Sequence, residues 1–243
     1  MRSQPASGYP IIRRLRSVCD RQWTHPLPVG VFLIRHPEGL FLFDTGQSPC
    51  CNDAGYFPRA ALFNKMLSNF TIEPSDGIVQ LLSRQGVKPT DLKAVILSHL
   101  HNDHAGGLED LVAAAPDLPV YPKIIDYEDR PVGPWKKSYP LTSDGKIVAV
   151  DTSGHVAGHL AHLVFGESGT GVATTYILPG DATYGIDVLD KEEPDGINDD
   201  PVRALQSLRL IKEFARQTDV VVLPSHDTDT PRFLAKGVVY RPK

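Results

Sequence analysis

Apolar residues come in short, dense runs through the first half of the chain. Tyr9–Val18, Gly30–His36 and Gly39–Asp44 are rich in Ile, Val, Phe and Leu and read as strands. Pro37-Glu38 between the last two is a turn signal, which predicts a hairpin ending at Asp44-Thr45-Gly46. Ala60–Asn69 and Ser75–Gln85 space their apolar residues at helical intervals, the second with Ser75 as N-cap and Gly86 as its stop. Ala94–Leu97 is a wholly apolar run of buried-strand character, and Gly107–Ala115 reads as a short helix halted by Pro116.

Beyond residue 140, strands and helices alternate. Ile147–Asp151, Leu160–Phe165, Ala173–Leu178 and Asp219–Leu223 are strand candidates. Asp200-Pro201 supplies an N-cap and a first helical residue. Val202, Leu205, Leu208, Ile211 and Phe214 then mark one face of a helix reaching about Gln217. This order predicts an α/β fold in which sheets pack between helices, a layered sandwich. No internal repeat or composition break divides the chain, so residues 1–243 read as a single domain.

Composition narrows the function. At 41% hydrophobic and 22% charged residues, wholesale disorder is excluded. A net charge of −4 leaves no polybasic footprint and weighs against nucleic acid as a partner. No apolar run approaches the roughly 18 residues of a membrane span. The N-terminal stretch, Met1 to Ser17, carries arginines but no apolar core of a secretory signal. Cys19, Cys50 and Cys51 form neither a CxxC pair nor a disulfide framework, which fits reduced thiols in a cytoplasmic protein.

The chemistry concentrates in Ser98-His99-Leu100-His101-Asn102-Asp103-His104-Ala105-Gly106-Gly107. Three imidazoles and a carboxylate fall within six positions, and these are the ligands that Zn²⁺ and similar borderline metals take. His99 and His101 point the same way in extended backbone and can grip one ion, while Asp103 and His104 can reach a second. By composition, HxHxDH is expected by chance only about 0.001 times in a chain like this. Further donors sit at strand ends. They are His159 in Gly154-His155-Val156-Ala157-Gly158-His159, Asp181 after Ala173–Leu178, and His226 after Asp219–Leu223. His155 reads as a supporting residue and His162 as core or surface.

HxHxDH, a glycine-flanked His, Gly-Asp and a final His after a strand together resemble the metallo-β-lactamase superfamily, over about Val29 to Asp227. The resemblance implies a four-layer αββα sandwich with two divalent metal ions, zinc foremost. It implies that His99, His101 and His159 hold one ion, that Asp103, His104 and His226 hold the other, and that Asp181 bridges them. Asp44 in Asp44-Thr45-Gly46 is similar to the family's early aspartate, which supports the metal histidines.

Two such ions supply a nucleophile and a Lewis acid, which is hydrolytic chemistry without an organic cofactor. Asp181 sets the chain apart from the superfamily's true β-lactamases, several of which use a cysteine at the related position. Only 17 residues follow His226, fewer than the glutathione-binding region of glyoxalase II-type thioester hydrolases needs. Asp181-Ala182-Thr183-Tyr184 resembles the compact lactonases, including those that open N-acyl homoserine lactones. The expected reaction is attack of a metal-bridging hydroxide on a lactone carbonyl. Tyr184 would steady the carbonyl oxygen, and Asp103 or a metal-bound water would return the proton. Alternatives are a γ-lactam or benzoxazolinone-like cyclic amide or carbamate on the same site, a thioester, a mononuclear iron persulfide dioxygenase, or a non-enzymatic binding protein. The partner is then a small cyclic ester or amide, with no nucleic acid and no membrane, and a homodimer is compatible with this reading. Cys50–Phe70, with Tyr56, Phe57, Phe63, Met66 and Phe70, is open to two roles, as pocket wall or as core helix, and Tyr121–Tyr139, with Trp135, reads as the other wall of the pocket.

Overall fold

A computed structural model describes residues 26–57, 70–117, 123–167 and 171–243. The expected strand Tyr9–Val18 and helix Ala60–Asn69 lie outside the described residues. The described chain divides into two compact units, one ending at Lys123 and the other running from Ile124 to Lys243.

In the first unit, β1 (Phe32–His36) and β2 (Gly39–Phe43) form the expected hairpin, with Phe32 opposite Phe43 and His36 opposite Gly39. The chain then crosses through α1 (Ile78–Arg84) to β3 (Leu92–Ile96), which pairs parallel to β2. A parallel pair needs such a crossover, because no tight turn can reverse the chain twice. α1 starts later than its sequence signal, at N-cap Gly77, because Pro74–Asp76 form a separate 3₁₀ turn that takes in Ser75. Leu42, Ile78, Leu82, Val87 and Leu111 form this unit's core. The short helices α2 (Asn102–Ala105) and α3 (Leu108–Ala114) follow β3.

The second unit holds a five-stranded sheet. β4 (Tyr139–Pro140), β5 (Ile147–Asp151), β6 (Leu160–Glu167) and β7 (Ala173–Leu178) run antiparallel in sequence order. α4 (Ile186–Lys191) and α5 (Pro201–Gln217) lead to β8 (Val220–Val222), which is parallel to β7. α6 (Thr230–Lys236) ends the described elements.

Asp200 caps α5 as expected, its Oδ1 accepting from the backbone N–H of Val202 and Arg203 at 3.1 and 3.0 Å. Leu208, Ile211, Phe214 and Ala215 of α5 pack on Val150, Leu163, Ile177 and Val222 of the sheet. Each fully buried large side chain of this kind contributes about 1.5–3 kcal/mol. Val202, expected on this face, is exposed; it lies in the first turn, ahead of the point where the helix meets the core. Trp135 is core rather than pocket wall, its ring 5.6 Å from Phe214 and its indole N–H donating to the Asp151 carbonyl at 3.0 Å. Two sheets with attendant helices are the elements that the sandwich expectation requires.

Candidate metal centre

Four of the expected donors belong to the first unit. His99 follows β3, His101 caps α2, and Asp103 and His104 lie on α2 itself. A one-turn helix has no room to show periodicity, so α2 is not among the elements expected from the sequence. The His99 ring stands 4.5 Å from His101 and 4.3 Å from His104, centroid to centroid. His104 Nε2 is 3.9 Å from Asp103 Oδ2.

Hydrogen bonding fixes which nitrogen of two of these rings carries a lone pair. Asp44, fully buried and at φ 60°, closes β2 and accepts from Ser98 N (2.6 Å), Ser98 Oγ (2.9 Å) and His104 Nδ1 (2.8 Å). An ionised carboxylate only accepts, so the His104 proton sits on Nδ1 and its lone pair on Nε2. Ser98 gives its one hydroxyl proton to Asp44 and therefore accepts from His99 Nδ1 at 2.9 Å, which puts the His99 lone pair on Nε2 as well. Burial pushes the Asp44 carboxyl up, against the lowering pull of its bonds to His104 and Ser98.

The Asp44-Thr45-Gly46 turn also clamps the motif's backbone. Thr45 N and Oγ1 both donate to the His104 carbonyl, at 2.7 and 2.9 Å. Gly107 N donates to the Gly46 carbonyl at 3.0 Å. A Cβ on Gly106 would stand 2.3 Å from the Asn102 carbonyl oxygen and 2.8 Å from Ser48 N, so only glycine fits this approach.

The second unit carries the remaining donors, all buried. Asp181 sits in the 3₁₀ turn Gly180–Ala182 after β7, with His226 Nε2 3.0 Å from its Oδ1 and His155 Nε2 3.5 Å from its Oδ2. His155 Nδ1 is held by Asp195 Oδ2 at 2.9 Å, which places its lone pair on Nε2 by the same reasoning. The Tyr184 ring lies 4.8 Å from His226 and 6.2 Å from His155.

His159 is placed differently from its expected role. The backbone N–H of Asp181 donates to His159 Nε2 at 3.0 Å, and His159 Nδ1 pairs with Thr152 Oγ1 at 2.9 Å. A lone pair that accepts from an amide cannot also bind an ion. His159 therefore braces the Asp181 turn, and His155 presents its Nε2 to the Asp181 carboxylate instead. The spacing Gly-His-Val-Ala-Gly-His offers both rings and does not choose between them. His162, on β6, is fully buried in the sheet, and burial pushes its imidazole down to about 3.

A donor set of imidazoles and carboxylates, mostly buried, with the His99, His104 and His155 rings held through Nδ1, fits a divalent transition metal. Beside the first-unit donors, a cleft of about 430 Å³ is lined by Tyr56, Asn102, Gly106, Leu108, Glu109 and Val112. Tyr56 packs edge-on to Phe57, which stacks on Phe70, while Phe63 and Met66 lie outside the described residues.

Residues 25–226 match the metallo-β-lactamase superfamily. The chain belongs to that superfamily. It is a hydrolase with the superfamily's α/β fold. It is 30% identical over 217 residues to an N-acyl homoserine lactonase of Bacillus thuringiensis, covering 84% of this chain and 82% of the relative. It is 27% identical over 228 residues to the N-acyl homoserine lactonase AttM of Azorhizobium caulinodans, covering 84% of each. Among solved structures, an N-acyl homoserine lactone hydrolase with N-hexanoyl-L-homoserine at its catalytic metal centre matches at TM-score 0.61 and 26% identity. That match covers 85% of this chain and 84% of the other. No helix among the described residues is long and apolar enough to cross a membrane.

Proposed function

We propose that the chain hydrolyses cyclic esters, N-acyl homoserine lactones or close analogues, on a site of two divalent ions, zinc foremost. The observation that carries this reading is Asp181, a buried carboxylate flanked by two imidazole Nε2 atoms at 3.0 and 3.5 Å. The lactonase relatives over most of the chain's length supply the substrate class. The proposed ligands are His99, His101, Asp103, His104, His155, Asp181 and His226, with His155 in place of His159. The whole chain acts as one hydrolase domain in this reading.

Bound there, the ions would supply a nucleophile from water near neutral pH and a Lewis acid for the attacked carbonyl. The chain's own residues prepare the site. Asp44 and Ser98 hold the His104 and His99 rings against rotation before any ion arrives, so little ordering remains to be done on binding. Tyr184, beside His226, donates its phenol O–H to the substrate carbonyl oxygen as charge gathers there. Asp103, partly exposed, takes up the proton that the attacking water gives up and passes it to the departing ring oxygen. The adjacent Cys50 and Cys51 fit a cytoplasmic setting as thiols.

The test is a proton-release assay of zinc-loaded protein against lactones, γ-lactams, benzoxazolinones and thioesters. Ring opening of acyl homoserine lactones with acid release is expected. Cleavage of a lactam or thioester with no lactone turnover would overturn the substrate class.

A further inference from the structure

The loop between α4 and α5, residues 192–200, wraps the turn that carries His155. Asp199 N donates to the His155 carbonyl and Asp200 N to the Gly154 carbonyl, both at 2.9 Å. Gly154 itself, at φ +136°, leaves room for the chain at Ala204, where a Cβ would come within 2.2 Å of the backbone nitrogen. Two backbone bonds thus fix where His155 sits, but they do not fix its ring.

Asp195 does that. Its Oδ2 takes the His155 Nδ1 proton at 2.9 Å, while its Oδ1 accepts from Ile197 N at 2.7 Å. The Asn198 side-chain amide donates to the Asp195 carbonyl at 2.5 Å, stiffening the loop that presents the carboxylate. The carboxylate is nearly buried and the His155 side chain wholly so, which leaves their charge-assisted bond little screened by water.

We infer that Asp195 is the positioning residue of His155, setting its tautomer, ring angle and donor strength toward a metal ion. This rests on the reading of His155 as a ligand. A carboxylate on Nδ1 concentrates electron density on Nε2, and loss of such a partner lowers metal affinity by about 10–100-fold. No residue pattern announces the role: Asp195 stands 40 positions from His155, in a Pro-Asp-Gly stretch that reads as an ordinary turn.

Zinc affinity is measured on the full chain by competition with a chromophoric chelator, for wild type, Asp195→Ala, Asp195→Asn and Asn198→Ala. The visible absorption of the cobalt(II) forms is recorded alongside. Asp195→Ala is expected to weaken one of two zinc equivalents by about 10–100-fold and to shift the cobalt band. Asp195→Asn, which offers one carbonyl oxygen to two N–H donors, moves in the same direction and serves if the alanine variant does not fold. Asn198→Ala, which disturbs the loop but keeps the carboxylate, retains wild-type affinity. Wild-type affinity in both Asp195 variants, or an equal loss in Asn198→Ala, overturns the inference and leaves the two-ion reading intact. A wild-type protein that takes up no pair of zinc ions overturns that reading and the inference with it.

Discussion

The amide of Asp181 donates to Nε2 of His159 across 3.0 Å, so the carboxylate at the centre of the proposed site has its own backbone held by a histidine. Substitution separates this bracing role from ligation. His159→Ala is expected to lower stability while the protein still takes up two zinc ions, and His155→Ala to lose one zinc equivalent. Elemental analysis after dialysis, with a urea unfolding curve for each variant, checks both. Loss of an ion in His159→Ala with none lost in His155→Ala would reverse the assignment.

Asp44 satisfies three buried donors at once: Ser98 N, Ser98 Oγ and His104 Nδ1. Asp44→Ala strands them all and forces alanine to φ 60°. A loss of about 3–5 kcal/mol is expected from urea unfolding of the metal-free protein, with Asp44→Asn costing less because it keeps one acceptor oxygen.

How far the sequence speaks for itself depends on whether a feature is local. The β1–β2 hairpin and α5 were legible because Pro37-Glu38 and Asp200-Pro201 encode a turn and a cap within two residues. β4, α2 and α4 are too short to establish a period and pass unnoticed, and α6 is not among the expected elements either. Ser75 has the chemistry of an N-cap, yet Pro74 draws it into a 3₁₀ turn. The HxHxDH donors are visible because their spacing is the signal. The distinction between His155 and His159 is not, because it turns on which ring the Asp181 amide reaches across 22 residues.

Gly154 tests how tightly the His155 turn is built. Gly154→Ala meets both an unfavourable φ of +136° and the backbone at Ala204. The expected cost is about 2–3 kcal/mol, which for a chain of this size lowers Tm by roughly 5–10 °C in a thermal melt. An unchanged Tm would mean the turn is looser than its contacts indicate.

His162 gives stability a pH dependence. Burial holds its folded imidazole down at about 3, whereas in the unfolded chain it titrates at the ordinary histidine value of 6.5. Above that value the ring is neutral in both states and costs nothing. As pH falls below it, the unfolded chain takes up a proton that the folded one refuses, so stability drops by up to about 1.4 kcal/mol per pH unit until the folded value is reached. Urea unfolding at stepped pH should show a shallower acid slope for His162→Leu than for wild type. Identical slopes would place the proton uptake elsewhere.

Asp181→Asn, assayed for bound zinc and for acyl homoserine lactone hydrolysis in the same preparation, tests the central claim most directly. Wild type should hold two zinc equivalents and turn over the lactone, and the variant should lose metal and turnover together. A variant that keeps both ions and full activity would contradict the account.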